Sequence, residues 1–558
     1  MMRKWMLGPI TVAIAAFGVA GCGLSVENPN QPDRSRALAS PSDVESLISS
    51  SFSQYFRTAH RPSDGLGPAM EVTADHNTAS WGNFGMRDIG EEPRKPYNNT
   101  PSFAYAYANE DQWGLNYAAV SAASDGLRAI NDGLEIGPGG QDNPRAIAFA
   151  KFTQGIAYGV LGATYDKAFL VDETTDFGGE LTTSPYQEVS AFGMQKLSEA
   201  IQVANANTFT LPDTWINGNP LSNTELAQLA HSYMARLQSA VARSPSERDG
   251  LNWSAIESNV DQGITSDLII DGINADTPGP WWDALKTWIN SDPGWVRVDM
   301  HWVGQADISG GYQAYVQTQD VNRQPFNVIS PDLRVPQNPG VDGDRGVYMT
   351  WLTSTLLPPG RGTYHLSHYL DHRYETYTQS CDGCWEGPFP IMTVREMRLY
   401  KAEARARMGD LQGAADIINE SRVAIGGLPP ITPAGTSGAN CVPHKRLDPT
   451  GACGDLMDAL RYEFYWEVDN LETGVTYWFT RGHGQLTTGT VLQFPIPGSE
   501  LETLQMKIYT FGGVGGNGAA PTVIPGNLSS ALDKVSYDLD ALRNLEARDT
   551  RPLRAVKQ

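Results

Sequence analysis

Positive charge is scarce in this chain. Its 558 residues include 41 Lys and Arg against 63 Asp and Glu, which gives a formal net charge of −22 at pH 7. An acidic chain repels phosphate backbones, so the composition argues against a nucleic-acid partner. It also argues against a purely electrostatic attachment to anionic lipid.

Long apolar runs are equally scarce, and the single one lies at the start of the chain. Residues 6–20 carry no charge, two basic residues precede them, and Ala-Gly stands directly before Cys22. A run this short with a basic start predicts a cleaved export signal, residues 1–21, rather than a membrane span. We expect the rest of the chain to be soluble.

The small residues before Cys22 resemble a bacterial lipobox, in which cleavage leaves the cysteine as an acylated N-terminus. This cleavage removes two positive charges and no acid, so the net charge moves from −22 to −24. Several acyl chains hold a protein firmly on a membrane. Residues 22–39 then form a lipid-anchored tether, and the non-acidic Gly23 is consistent with sorting to the outer membrane. An ordinary signal peptide that happens to contain a cysteine is the alternative.

Cysteine is also rare, and four of the five cysteines remain once Cys22 is assigned to lipid. An even number in an exported chain predicts disulfides. Local pairing, Cys381 with Cys384 and Cys441 with Cys453, is the simplest of three connectivities. A four-cysteine zinc site and a redox-active CxxC are the alternatives. The eleven residues between Cys441 and Cys453 do not form a second CxxC knuckle.

Catalytic motifs are missing too: there is no nucleophile elbow, zinc-protease helix or P-loop. Glu463 and Glu467 stand one helical turn apart, whereas glycosidase carboxylates flank their substrate. We interpret the two glutamates as structural, paired with Arg461 or Arg481. The three histidines within residues 365–372 lie among tyrosines that favour extended chain, which argues against a metal site. We therefore predict a non-catalytic protein without metal or cofactor.

Apolar residues recur at spacings of three and four through several segments, as in helices that bury one stripe. A capped helix is predicted over 40–58 and a short one over 253–262. The other predicted helices form pairs: 110–134 with 143–165, 186–204 with 222–242, and two helices after 390 joined at Gly409-Asp410. Narrow antiparallel pairs of this kind resemble tetratricopeptide units. We predict a mainly α fold built from such pairs.

A long segment, residues 271–385, breaks this pattern. It is rich in Trp and Tyr among Gly, Pro, Asp and Asn. Long irregular inserts are usually functional or disordered, and the aromatic content argues against disorder. We predict a loop-rich ligand face, with core filling as the alternative for each ring. The candidate rings are Trp81, from a predicted loop over 60–108, and Trp282, Trp295, Trp302 and Tyr312.

Several motifs together resemble the SusD/RagB family of outer-membrane nutrient-binding lipoproteins. The longest runs through Pro390-Ile391, Glu396, Ala402-Glu403-Ala404, Gly409-Asp410, Asn419, Arg422 and Gly427-Leu428-Pro429. Further matches are Leu24 to Asn30, then Arg461, Glu463, Glu467, Gly474, Trp478 and Arg481-Gly482, then Phe494-Pro495-Ile496-Pro497 with Glu500. The resemblance implies a SusD-like domain over 40–510, with helix pairs in 40–262 and 390–482. Residues 511–558 remain as a Gly-rich linker and a C-terminal helix.

The resemblance also implies a function. Proteins of this family sit on the outer membrane, capture oligosaccharides and pass them to a SusC-like, TonB-dependent transporter. Peptide capture with the same transporter, as in the RagB branch, is the first alternative. A helical scaffold that binds only proteins is the second. In each case we expect a surface-exposed protein that is held on the membrane by lipid.

Lipidation can be tested directly. We expect labelled palmitate to enter the protein in a host that processes bacterial lipoproteins, and Cys22→Ala to abolish the label because the acylated atom is gone. Cys384→Ala is the matched control, since it removes a thiol and leaves Cys22 intact, and it should retain the label. A label that persisted in Cys22→Ala would contradict the assignment.

Overall fold

The computed structural model describes part of the chain, namely residues 38, 40–61, 65–79, 85–179, 181–272, 281–283, 286, 296–318, 322–353, 367–378, 386–446 and 448–521. The predicted export signal, most of the predicted tether and the predicted C-terminal helix lie outside the described residues. The same holds for Cys22, Trp81, Trp295, Cys381 and Cys384. Within the described part, no helix combines the length and apolarity that crossing a membrane requires.

The described chain is mainly helical, as the sequence predicts. Its seventeen α-helices are α1 (Pro41–His60), α2 (Gly67–Thr73), α3 (Met86–Gly90), α4 (Ala106–Asn131), α5 (Asn143–Thr164), α6 (Tyr186–Ala206), α7 (Asn223–Ala240), α8 (Pro245–Asp249), α9 (Trp253–Asp261), α10 (Met300–Val303), α11 (Gly311–Gln317), α12 (Glu375–Thr378), α13 (Val394–Arg407), α14 (Leu411–Ala424), α15 (Leu456–Val468), α16 (Val475–Gly482) and α17 (Gly498–Thr503).

Strands are short and pair only in twos within the described residues. They are β1 (Asn77–Ala79), β2 (Lys167–Phe169), β3 (Thr183–Pro185), β4 (Leu268–Gly272), β5 (Val296–Val298), β6 (Met349–Trp351), β7 (Tyr369–Asp371) and β8 (Gly387–Met392). The antiparallel pairs are β1–β5, β2–β3, β4–β8 and β6–β7. The pairs β1–β5 and β4–β8 join segments far apart in the chain.

The two N-terminal helix pairs are confirmed, as α4 with α5 and α6 with α7. Glycine lets the backbones of α5 and α6 approach closely. A Cβ on Gly193 would lie 2.8 Å from the nitrogen of Gly159 and 2.9 Å from the oxygen of Gly155. Helix α7 begins with a reciprocal cap, in which Ser222 accepts from the Glu225 amide and Glu225 accepts from the Ser222 amide.

The third predicted pair is confirmed as α13 and α14, against which α15 packs. Gly409 turns the chain in the left-handed region, at φ 92°. Asp410 then caps α14 by accepting from the Gly413 amide at 2.9 Å. These local signals explain why the pair can be located from the sequence.

The regions predicted as loop are more structured than expected. Residues 60–108 contain the short elements α2, β1 and α3, and the insert 271–385 contains α10, α11 and the strands β5, β6 and β7. The insert also enters the core, because the Trp302 ring packs 5.2 Å from that of Trp466 on α15. Elements this short carry too few residues to show a periodicity.

The structural interpretation of Glu463 and Glu467 is supported, but the predicted partner was wrong. Both carboxylates pair with Arg334 of the insert, at 2.7 Å and 3.1 Å. Arg461 instead pairs with Asp458, and Arg481 donates to backbone carbonyls. The insert therefore supplies the cation that these two buried carboxylates need.

One of the two predicted cysteine pairings falls on described residues. The structure joins Cys441 to Cys453 in a disulfide. The bond closes a loop in which the Lys445 amide also donates to the carbonyl of Ala452 at 2.9 Å. Restricting this loop in the unfolded chain typically stabilises a protein by about 2–4 kcal/mol.

The Arg334–Glu463 pair gives a stability prediction. Glu463→Ala breaks the pair that joins Arg334 to α15 and leaves the buried Ser421 hydroxyl without its acceptor, although Asp332 still pairs with Arg334. We expect the free energy of unfolding to fall by about 3–5 kcal/mol. The matched control is Glu420→Ala, which breaks the half-exposed pair with Arg398 and should change it by less than about 1 kcal/mol. Urea unfolding followed by circular dichroism measures both. Equal losses in the two variants would contradict the prediction.

Candidate functional site

An aromatic cleft of about 550 Å³ opens where residues 85–105 meet residues 508–510. It is lined by Leu66, Ala69, Gly85, Asp88, Ile89, Lys95, Pro96, Tyr97, Asn98, Asn99, Thr100, Phe103, Tyr105, Ile508, Tyr509 and Thr510. The lining combines four aromatic rings with amide, hydroxyl and charged groups. We call this site the aromatic cleft.

A short ribbon between two distant segments builds the floor of the aromatic cleft. The Tyr97 amide donates to the carbonyl of Phe511 at 2.9 Å, and Pro96 forms an antiparallel bridge with Gly512. The buried Asn99 side chain extends the ribbon by donating to the carbonyls of Ile496 (2.9 Å) and Tyr509 (3.0 Å). These hydrogen bonds fix the backbone of residues 96–99 against residues 509–512, although neither segment forms a regular strand.

The four rings of the aromatic cleft are half-buried. Phe103 and Tyr105 pack edge to face, with centroids 5.5 Å apart at 79°. Tyr97 packs its edge against the core residue Phe494, at 5.2 Å and 82°. Packing of this kind fixes the orientation of each ring while leaving part of its surface accessible.

Tyr509 is fixed by polar contacts. Its hydroxyl donates to Oδ1 of Asp166 at 2.7 Å, and Nζ of Lys167 lies 5.1 Å from its ring centroid. Burial raises the pKa of Asp166 to about 6. The Tyr509 hydroxyl is therefore occupied by Asp166, and the ring is the part of Tyr509 that remains to line the cleft.

A second cavity, which we call the polar cavity, has a volume of about 620 Å³ and lies between the insert and the pair α13–α14. It is lined by Asp267, Val347, Tyr348, His372, Arg373, Tyr374, Pro390, Thr393, Val394, Arg395, Arg398, Leu399, Ile417, Glu420, Ser421, Glu467 and Leu471. Its two tyrosine hydroxyls are engaged, Tyr348 with Glu467 and Tyr374 with the carbonyl of Asp469. Burial lowers the pKa of His372, which keeps this imidazole neutral.

The predicted ligand-binding rings do not come together in the described residues. Trp302 is 1% exposed and Tyr312 is 0% exposed, so the structure places both rings in the core and neither is a surface for a ligand. Trp282 is half-buried beside the guanidinium of Arg61 and lines neither cavity. Trp81 and Trp295 lie outside the described residues. For Trp302 and Tyr312 the structure agrees with the alternative given for each ring, namely that it fills the core.

The rings of the aromatic cleft were missed by the sequence reasoning. Phe103 and Tyr105 lie in the predicted loop 60–108, in a Phe-Ala-Tyr-Ala-Tyr run that gives a visible local signal. Tyr97 precedes the polar triplet Asn98 to Thr100, which is a weaker signal. Nothing in the sequence indicates that Tyr509 joins them, because that requires the ribbon to be known.

Comparisons with known proteins decide the fold. No family model matches the sequence, and no curated protein matches it. Solved structures do: a SusD superfamily protein from Bacteroides vulgatus matches with a TM-score of 0.51 at 12% identity, over 84% of this chain and 97% of that one. The chain has the SusD-like fold.

Two further solved structures match at lower scores. A SusD-like protein from Bacteroides fragilis gives a TM-score of 0.49 at 15% identity, covering 80% of this chain and 86% of that one. Surface glycan-binding protein A from Bacteroides uniformis gives 0.47 at 12% identity, covering 83% and 98%. At these identities the matches do not identify a ligand for this chain.

The ribbon gives a prediction for the aromatic cleft. Asn99→Ala removes the partner of two carbonyls and of the Gly498 amide (3.1 Å), so we expect a loss of about 1–3 kcal/mol in the free energy of unfolding. The matched control is Asn98→Ala at an exposed neighbour, which loses only its local contacts with Thr100 and should cost less than about 1 kcal/mol. Urea unfolding of the two variants measures both losses in the free energy of unfolding. If Asn98→Ala were the more damaging, this account of the ribbon would be wrong.

Proposed function

We propose that the protein is a non-catalytic, lipid-anchored binding protein of the outer membrane that captures oligosaccharides in the aromatic cleft. Cys22 carries the lipid, and a SusC-like, TonB-dependent transporter receives the ligand. The SusD-like fold and the export signal support the setting. The observation that carries the ligand class is the set of half-buried rings beside exposed amide and hydroxyl groups.

The chemistry of the aromatic cleft suits a sugar. A ring offers an apolar face to the C–H face of a sugar, and its edge tolerates water. Asn98, Thr100 and Thr510 are exposed on the lining and supply polar atoms for sugar hydroxyls. The volume of about 550 Å³ falls in the range of ordinary ligand pockets. After the cost of association, a few rings support affinities of roughly millimolar to micromolar.

The carboxylates support binding rather than hydrolysis. Glycosidases place two carboxyl groups on either side of the scissile bond. Asp88 is the one carboxylate among the described residues that line the aromatic cleft. The glutamates considered from the sequence, Glu463 and Glu467, are buried against Arg334 and line no part of it.

Peptide capture is the second candidate, and the polar cavity is the observation that favours it. Its lining presents Arg395, Arg398 and Glu420 on the surface, and such groups suit the charges of a peptide better than sugar hydroxyls. Arg398 and Glu420 already form an ion pair with each other, so a bound peptide has to break that pair. For this reason we place the oligosaccharide first.

The two ligand classes are separated by calorimetry with a panel of glycans and peptides. We expect Phe103→Ala and Tyr105→Ala each to weaken glycan binding about two- to ten-fold, since one ring contributes about 0.5–1.5 kcal/mol beyond area burial. Phe177→Ala is the control, because this ring is 61% exposed and lies outside the cleft. It should bind as the unaltered protein does.

The alternatives give different results in the same panel. Peptide binding that is lost in Arg398→Ala and retained in Phe103→Ala would move the function to the polar cavity. If neither ligand class bound, and a barrel transporter co-purified without any dependence on ligand, both capture proposals would fail and the protein-binding scaffold would stand.

A further inference from the structure

Three side chains with metal-binding atoms meet in the core, away from the aromatic cleft. They are Glu71 on α2, His76 just before β1, and Asp469 just after α15, and each is 1% exposed. Nδ1 of His76 lies 3.4 Å from Oε2 of Glu71 and 3.8 Å from Oδ1 of Asp469. The three potential ligand atoms all lie within 4.8 Å of one another. We call this group the core triad.

The hydrogen bonds around His76 decide which ring nitrogen carries the hydrogen. The Thr480 hydroxyl donates its only hydrogen to the carbonyl of Thr476 at 2.7 Å. It therefore accepts from Nε2 of His76, which lies 3.2 Å away. In this tautomer Nδ1 carries a lone pair and no hydrogen, and it faces the carboxylates of Glu71 and Asp469.

The carboxylates bring further lone pairs to the same point. Oδ1 of Asp469 is buried and accepts no hydrogen bond from an N–H or hydroxyl donor, while Oδ2 accepts from the side chain of Asn470 at 2.5 Å. Oε2 of Glu71 accepts from the Thr476 hydroxyl at 2.7 Å. In the described parts of the chain, no Lys or Arg nitrogen lies within 4.0 Å of Glu71, and the nearest to Asp469 is Nη2 of Arg373, 3.8 Å from Oδ2.

Three buried lone pairs that converge without a positive charge between them are unfavourable, so a cation or a proton has to lie there. We propose that the core triad binds a divalent transition-metal ion of the zinc class, through Nδ1 of His76 and one oxygen each of Glu71 and Asp469. An imidazole ligand favours such an ion over Mg²⁺ or Ca²⁺, which prefer oxygen alone.

The geometry agrees with this ion. Ligands about 2.0–2.1 Å from a tetrahedral zinc lie roughly 3.4 Å apart, close to the two separations measured from Nδ1 of His76. The contacts behind the ligands also fit, because Thr480 fixes the tautomer of His76 and Thr476 orients Glu71. Three protein ligands leave the fourth position for water. The ion would join α2 to the end of α15, almost 400 residues apart in the chain.

The competing occupant is a proton shared by the two carboxyl groups. Burial raises the pKa of Glu71 to about 7 and raises that of Asp469 as well, which favours a proton between the two carboxyl groups over two bare carboxylates. A bound metal ion displaces this proton, so stoichiometric metal in the protein distinguishes the two occupants.

The test uses the untagged mature protein, treated with chelator under mild denaturant and then given Zn²⁺ or Co²⁺ alone. We expect one metal per chain by elemental analysis, a Co²⁺ absorption band of a four-coordinate site, and a higher unfolding midpoint with metal. His76→Gln should bind at least about 100-fold more weakly and lose the band. The control is His231→Gln at a half-buried histidine bonded to Asn259, and it should behave as the unaltered protein.

The outcomes decide the proposal either way. Absence of stoichiometric metal in the unaltered protein, or an unchanged Co²⁺ band in His76→Gln, overturns it and leaves the shared proton. If His76→Gln does not fold, Glu71→Gln replaces it, because the amide keeps the shape and the Thr476 contact while weakening the ligand. Failure of glycan binding would leave this result unaffected, since the core triad lies apart from the aromatic cleft.

Discussion

Arginine–carboxylate pairs buried between distant segments hold the described body of this protein in one arrangement. Arg236 on α7 donates to both oxygens of Glu396 on α13, and Arg248 on α8 does the same to Glu403, all at 2.6 Å. Arg334 brings the insert to α15 through Glu463 at 2.7 Å and 2.9 Å. Removing such charges from water costs several kcal/mol per ion unless the geometry is well matched. Each pair therefore tolerates one relative placement of its two segments, and together they specify how the N-terminal helices, the insert and the C-terminal helices meet.

This dependence explains what the sequence could predict. The helix pairs α4–α5, α6–α7 and α13–α14 follow from periodicity, caps and a glycine turn, which are all local signals. The partners of the buried carboxylates are not local. Arg334 precedes Glu463 by 129 residues and lies in a segment without periodicity, so the sequence favoured the nearer Arg461 and Arg481. The strand pairs β1–β5 and β4–β8 were missed for the same reason, because three to six residues carry no pattern and their partners are distant.

Aromatic content in a sequence does not distinguish a packed ring from an accessible one, so the sequence could not show that Trp302 and Tyr312 lie in the core. The described part of the insert has only short helices and strands, and it is anchored by large buried rings such as Trp302, which packs against α15. The aromatic cleft depends instead on partial burial, which is a property of the folded chain. Phe103 and Tyr105 are neighbours in sequence, but Tyr509 reaches them only through the ribbon that Asn99 ties together.

The motif residues that carry the family resemblance explain why it conveys a fold and not a ligand. Glu396, Glu403 and Glu463 are the buried partners of arginines, and Asn419 and Arg422 hold the backbone of Ile431 and Pro429. None of them lines the aromatic cleft, whose residues come from the segments 66–105 and 508–510. The buried charge pairs fix how the helices are arranged, and they place little restriction on the side chains of the loops that join them. Binding residues usually lie on loops that a rigid frame positions, so the ligand site that we propose is built from residues outside the motifs.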